Sequence, residues 1–484
     1  VTRNRQIWTF AITSVALFMV ALDNLVVTTA LPVIRAELDA TLSELTWMVN
    51  AYTLTFAVLL LPGAALGDRF GRKRMFIIGL GVFTLGSVAA AIADTSELLI
   101  LARALQGVGG AIVTPLTLTI LSSAVSPERR AVALGAWGGI GGLAIAIGPL
   151  VGGAIAEGLS WNMIFWVNVP IGLVAMVLAA TRLEESYGPE GRLDLPGLAL
   201  ASSGLLALVF GVINGNEDGW TSPTIVAALV AGVVLLVGFL VRQARTSNPM
   251  LPLRFFRSRA FSAANGVSFL MFFGVFGSIF LLSQFFQVVQ GMGPFEAGLR
   301  TLPWTGAPAI VAPIAGLLAG RIGGRPILIA GMVLLSAGLA WLAAVVSPTV
   351  DYATLVPGFI VAGVGMGLFF APIADIVLSS VPAAEEGKAS GATNTIREVG
   401  GVFGVAVLAS VFSANGSYAT PAEYVAGLQP AIALGAGIVA VAAVVAVALP
   451  GRIRRPADGE SEVTDPVEAV TGSHATREVR QIAM

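Results

Sequence analysis

Apolar runs about as long as a bilayer is thick recur along nearly the whole chain, separated by short polar turns. Crossing the ~30 Å hydrocarbon core takes roughly 20 mostly apolar residues in an α-helix. A soluble chain of this size would need far more polar surface than one that is 56% hydrophobic and 11% charged, with mean hydropathy +0.87. The expected fold is therefore an all-α membrane protein. Fourteen spans are expected, near residues 7–31, 46–66, 75–93, 98–124, 132–156, 162–181, 197–213, 223–241, 260–290, 297–319, 327–346, 353–378, 391–412 and 427–449. The first run is too long for a signal-peptide core and no small-residue cleavage site follows it, so it is expected to be retained.

An even number of spans puts both termini on one side, and the cations decide which. Of the 27 cationic residues, only Arg35 falls in the loops facing away from the termini, and Arg103, Arg300 and Arg397 fall inside spans. The positive-inside rule then places both termini in the cytoplasm of a multi-pass protein of the cell membrane. Residues 451–484 lack Leu, Phe, Tyr and Trp and read as a disordered cytoplasmic tail, a solvated end in preference to a regulatory one.

Several function classes are disfavoured. There are no cysteines, and the only histidine, His474, lies in the tail. A thiol nucleophile, a disulfide, a metal centre or a haem site is not expected, and neither is an enzyme. A net charge of −1 gives no sign of nucleic-acid binding. The glycine runs at 107–110 and 363–367 lie within spans and follow no strand, and Gly387-Lys388 lacks the glycine pattern of a phosphate loop. No ATP site or cofactor is expected, which leaves an ion gradient as the energy source.

The segment Gly67-Asp68-Arg69-Phe70-Gly71-Arg72-Lys73-Arg74 packs five charges into eight residues between two apolar runs. Its glycines allow two helix ends to approach in a tight turn. Gly67, Gly71 and Arg72 have counterparts in Gly320, Gly324 and Arg325. Gly107-Val108-Gly109 matches Gly363-Val364-Gly365, and Val125 and Gly135 match Val381 and Gly391, all at a nearly constant offset. This implies two parallel six-helix bundles, residues 1–190 and 246–450, with an inserted central helix pair over 191–245 and the tail over 451–484. Such repeats place a substrate site between the halves near the midplane.

With these features the chain resembles the major facilitator superfamily, and fourteen spans narrow the likeness to its 14-helix drug:proton antiporters. The segment from Gly63 through Arg74 resembles the superfamily's loop 2–3 motif. Leu22-Asp23-Asn24-Leu25-Val26-Val27 through Pro32 resembles a helix 1 motif, and Arg103-Ala104-Leu105-Gln106-Gly107-Val108-Gly109-Gly110 a helix 4 motif. Gly148-Pro149-Leu150-Val151-Gly152-Gly153 resembles the helix 5 motif of antiporters, and Trp161 with Phe165-Trp166-Val167-Asn168-Val169-Pro170 also fits. The resemblance implies that Asp68, Arg69, Gly71 and Arg72 latch the halves together on the cytoplasmic side when the transporter faces outward.

Ionisable groups inside spans are costly and mark function. Asp23 is the leading proton-site candidate, and Arg103 enters its helix at a similar depth. A carboxylate alternating between this arginine and a proton would be a coupling switch; a fixed ion pair that sets packing is the bland alternative. Glu398 is a second candidate, equally readable with Arg397 as a gate pair. Asp375 reads as a gate or helix-end contact, and Arg300 as a snorkelling cation. The glycines Gly148, Gly152 and Gly153 with Pro149 make the fifth helix thin and bendable. Phe273, Phe276 and Phe280 with Gln284, and the scattered Asn24, Asn50, Gln106 and Trp304, are pocket candidates, although lipid-facing packing explains the phenylalanines as well. Aromatic faces suit lipophilic cations. The function expected is proton-coupled export of lipophilic cationic compounds by alternating access, by a monomer whose partners are lipid, small-molecule substrate and protons. The alternatives are a dedicated exporter of one compound and a non-transporting receptor or scaffold.

Overall fold

A computed structural model describes residues 3–125, 127–188, 194–247, 249–382 and 385–450; the expected tail over 451–484, with His474, lies outside the described residues. Apart from one 3-10 turn at Leu253–Arg257, the regular structure among them is sixteen α-helices. They are α1 (Arg3–Leu38), α2 (Leu42–Phe70), α3 (Arg72–Ala91), α4 (Ser96–Ala124), α5 (Pro127–Gly158), α6 (Met163–Trp166), α7 (Asn168–Arg182), α8 (Leu195–Asp218) and α9 (Pro223–Arg245). There follow α10 (Arg259–Val288), α11 (Pro294–Thr305), α12 (Ala307–Ile322), α13 (Gly324–Val345), α14 (Tyr352–Ser379), α15 (Glu386–Asn415) and α16 (Pro421–Val447). Thirteen helical segments among the described residues are long and apolar enough to cross a membrane. The expected fifth span coincides with α5, several of whose side chains are not among those described.

Most helices outrun the apolar runs that predict them, because polar caps extend them. Thr41 starts α2 with a reciprocal box: its Oγ1 accepts from the Glu44 amide, and Glu44 Oε2 accepts from the Thr41 amide at 2.7 Å. Arg35, expected in a loop, instead occupies the last turn of α1. Two expected spans are broken. The sixth divides at Val167 into α6 and α7, where Pro170 offers no N–H to the Trp166 carbonyl. The tenth divides at Gly306 into α11 and α12, where Pro308 does the same to Trp304.

Two local features recur along the chain. Gly71 joins α2 to α3 at φ 100°, and Gly323 joins α12 to α13 at φ 88°. Side chains rarely adopt this region, so glycine is required. Motif spacing pairs Gly71 with Gly324, but the backbone pairs it with Gly323. In α4, a side chain on Gly107 would strike the Tyr52 carbonyl of α2, and one on Gly109 the Phe83 backbone of α3. In α14, Gly363 likewise abuts the Trp304 carbonyl at the α11–α12 break, and Gly365 abuts Leu335 of α13. The same two-sided glycine contact thus recurs in both sets.

Helices α1–α7 pack among themselves and α10–α16 among themselves, with cross-contacts of α2 on α15, α5 on α11 and α12, and α1 on α10. Helix α8 touches both groups: Ser43 Oγ donates to Asn214 Oδ1 at 3.0 Å, and Asn216 Nδ2 to Ser410 Oγ at 3.0 Å. At its other end Asp194 accepts from Arg242 Nε at 2.6 Å, Gln243 Nε2 at 2.8 Å and the Gly197 amide at 3.0 Å, tying α8 to α9.

Two outcomes follow. Gly107→Val should lower the thermal unfolding midpoint in detergent by an overpacking cost of ~1–3 kcal/mol, whereas Gly158→Ala, in open space, should leave it unchanged. Burial pushes the Asp194 carboxyl up, but its donors from Arg242, Gly197 and Gln243 outweigh this and hold it below the usual range. A lowered carboxyl stabilises above that range and loses its effect as pH falls through it. Asp194→Asn should therefore lower the midpoint at neutral pH, with the deficit closing on acidification.

Candidate functional site

Four helices converge on one buried carboxylate. The Asp23 and Arg103 side chains are each 1% exposed, and Arg103 Nη1 donates to Asp23 Oδ2. Asp23 Oδ1 accepts from Gln106 Nε2 at 3.1 Å and from Asn168 Nδ2 at 2.7 Å. Arg103 and Gln106 lie three residues apart and so share a face of α4. Gly107, next along, lets α4 approach α2, which brings the Tyr52 ring to 4.3 Å from the guanidinium. Arg103 also donates to Gln106 Oε1 at 2.8 Å and from Nε to the Met48 carbonyl at 3.3 Å. Gln106 Nε2 is shared with Ser87 Oγ at 2.8 Å.

Taking two charges out of water is repaid only if their remaining donors and acceptors are met. Here Arg103 keeps a carbonyl, an amide oxygen and an aromatic face even without the carboxylate. The guanidinium therefore does not depend on the carboxylate alone for its partners. Asp23, Arg103 and Gln106 were legible in the sequence. Asn168, Ser87 and Tyr52 were not singled out as site residues. Ser87 and Tyr52 are polar groups set in apolar runs, and Asn168 stands in the Phe165–Pro170 segment that fits the family, without a role assigned there.

On the opposite group, Arg397 of α15 lies over the Phe272 ring at 4.8 Å, and its buried Nε has no hydrogen-bond partner among the described residues. Glu398, half-buried, makes no hydrogen bond or ion pair among the described residues, and Asp375 is exposed near the end of α14 without an ion pair. Phe276 stacks on Phe272 at 5.2 Å and is partly exposed, whereas Phe273 and Phe280 are buried. Gln284 is committed to packing: its Oε1 accepts from Tyr418 and its Nε2 donates to the Phe280 carbonyl. Trp304 is buried against Phe359. Asn50 is fully buried, and neither of its amide atoms has a partner among the described residues. The side chain of Asn24 lies outside those described.

The basic turn binds within its own group. Asp68 accepts from Arg72 Nε at 2.9 Å, and its carbonyl from the Gly188 amide at 3.1 Å. Glu185 beyond α7 caps α3 through the amides of Lys73 and Arg74, close beside Gly71, and Arg69 lies over Phe70. At the other end the two groups meet directly. Ser283 donates to the Thr28 carbonyl at 3.2 Å, Gln287 to the Thr29 carbonyl at 2.8 Å, and the Phe295 amide to Glu157 at 2.9 Å. Arg35 stacks on Tyr418 at 4.2 Å. Gly148 and Gly152 set α5 against Leu25 and Val26 of α1, while Gly153 and Pro149 meet Pro294 and Gly298 of α11.

The sequence pattern of the Major Facilitator Superfamily matches residues 13–405, and again 266–480. The multidrug resistance protein Stp of Mycobacterium tuberculosis is 37% identical over 84% of this chain and 76% of its own. The multidrug efflux pump LfrA of Mycolicibacterium smegmatis is 34% identical, covering 87% and 83%. The tetracenomycin C resistance and export protein of Streptomyces glaucescens is 33% identical, covering 84% and 76%. Among solved structures, a peptide transporter POT in complex with sulfate superposes with TM-score 0.66 at 16% identity over 93% and 96% of the chains. A bacterial homologue of the lysosomal transporter Spinster gives 0.67 at 17%, over 93% and 98%. The chain belongs to the Major Facilitator Superfamily and is a membrane transporter, not an enzyme.

Breaking a buried pair costs about 3–5 kcal/mol because one charge stays uncompensated. Asp23→Asn and Arg103→Gln should each lower the unfolding midpoint, and the double variant should lower it by less than the sum. Strict additivity in thermal unfolding would contradict the coupling.

Proposed function

We propose that the chain exports lipophilic, cationic compounds from the cytoplasm in exchange for protons. The observation that carries this reading is the buried Asp23–Arg103 pair, whose arginine has other partners ready when the carboxylate is neutralised. In this reading α5 is the fourteenth span. Helices α1–α7 and α10–α16 form two six-helix halves, α8 and α9 are the inserted pair, and both termini face the cytoplasm of the cell membrane. The cross-group hydrogen bonds of Thr28, Thr29 and Glu157 lie at the end away from the basic turn, which supports a state closed at the outer end, while α2 and α15 stay in contact nearer the basic turn, where Gly391 abuts Leu61.

The proton arrives from outside and displaces Arg103 from Asp23, loosening the tie between α1 and α4. Substrate and proton each weaken the other's binding, and that coupling is reciprocal. Phe272, Phe276 and the unpaired Glu398 offer aromatic faces and negative charge to a lipophilic cation; Arg397 is the gate partner it would displace. In the opposite state Asp68, Arg69, Gly71 and Arg72 latch the cytoplasmic ends, with Asp375 as a helix-end contact. The pathway lies within one chain, so a monomer suffices. The multidrug names of Stp and LfrA support a broad substrate range. The name of the tetracenomycin C protein favours a second reading, an exporter of a single compound.

The test uses purified protein in vesicles with an imposed pH gradient and a panel of fluorescent lipophilic cations. Wild-type protein should concentrate several of them. Asp23→Asn should lose uphill movement yet still exchange substrate across the membrane. Uphill export by Asp23→Asn at the wild-type rate would overturn the proton assignment, and transport of one panel member alone would select the second reading.

A further inference from the structure

Asp23 has three hydrogen-bond partners, and they differ in what they can do when a proton arrives. Arg103 can only donate. Gln106 is committed at both ends, its oxygen taking Arg103 and its nitrogen serving Ser87 as well as Asp23. Asn168 alone is uncommitted: its Nδ2 donates to Asp23 Oδ1 at 2.7 Å, and no donor is bonded to its Oδ1 among the described residues. Its side chain is buried, and it is the first residue of α7, directly after the break at Val167.

Asp23 Oδ1 is met by two N–H donors, from Gln106 and Asn168, so a proton placed on that oxygen would point at one of them. One partner must become an acceptor. From this geometry we infer that Asn168 is the positioning residue that lets Asp23 occupy both protonation states. It donates to the carboxylate as seen. When a proton binds Asp23 Oδ1, the Asn168 amide turns over and its Oδ1 accepts the new O–H. No atom is exchanged beyond the added proton, and Arg103 retains Met48, Gln106 and the Tyr52 face. Because Asn168 begins α7, the turnover acts on the α6–α7 joint and links protonation to a change in the sixth span.

The ionisable groups facing Asp23 are Arg103 of α4 and Tyr52 of α2. Helix α6 has none, α7 and α10 carry only Arg182 and Arg259 at their basic ends, and Glu157, the acid of α5 whose side chain is described, sits at the opposite end. On α11, Glu296 and Arg300 pair with each other. Glu398 of α15 acts electrostatically on Tyr52 from further away, and removing a donor to the charged carboxylate favours the protonated form.

This inference rests on Asp23 being the proton site, so the experiment separates the two. Protein in nanodiscs is titrated by infrared difference spectroscopy, following the protonated-carboxyl band that Asp23→Asn abolishes. Asn168→Leu removes both a donor to the carboxylate and the acceptor of the new O–H: the lost donor should move the midpoint of that band up by about one pH unit, and the lost acceptor should shift its frequency. The pH profile of uphill transport should move with it. Asn168→Ala, which cannot clash, should do the same and stands in if the leucine variant does not fold. If Asp23→Asn leaves the band intact, the proton-site reading fails. If that band vanishes in Asp23→Asn while both Asn168 variants keep the wild-type midpoint and frequency, the Asn168 inference fails alone.

Discussion

A carboxylate and a guanidinium buried in an apolar bundle must satisfy each other or not be buried, and α1, α2, α4 and α7 are arranged around that requirement. Arg103 reaches Asp23 because α4 lies against α2 with almost no gap at Gly107. Tyr52 fills the face that water would otherwise occupy, and Met48 lends a carbonyl. Gln106 and Asn168 complete the shell from two further directions. The pair is weak evidence for stability in itself, since apolar replacements can pack as well.

The two ends of the molecule carry different kinds of contact. At the basic end, charge is used locally, with Asp68 and Glu185 organising the α2–α3 turn and the start of α3. At the far end, backbone carbonyls of α1 accept from α10, and Glu157 of α5 caps α11 across the groups. Neutral and capping hydrogen bonds of this kind are individually modest, so they can hold one arrangement and still yield to another. Helix α8 adds a second tie at that end, bonded to α2 through Asn214 and to α15 through Asn216.

How much could be read beforehand depended on the range of the signal. The runs that became α2, α3 and α13 were plain because lipid leaves the backbone no other partner than itself. The breaks at Val167 and Gly306 fall just before Pro170 and Pro308, whereas Pro32, Pro62, Pro115 and Pro149 sit inside unbroken helices, so proline alone does not decide them. The repeat was legible from glycine spacing, but its register at the turn was not: only φ distinguishes Gly323 from Gly324. Of the pocket candidates, Gln106 was placed at the carboxylate, while Gln284 was drawn into a bond with Tyr418.

The sequence by itself determined the helices, their approximate ends and the ionisable groups they carry, because burial in lipid makes those local energetic choices. Only the tertiary structure decided which polar groups meet. Asn168 and Asp23 are 145 residues apart, and nothing in either neighbourhood specifies the other. Their contact exists because glycines on one helix let others come close enough for a single carboxylate to collect donors from several directions.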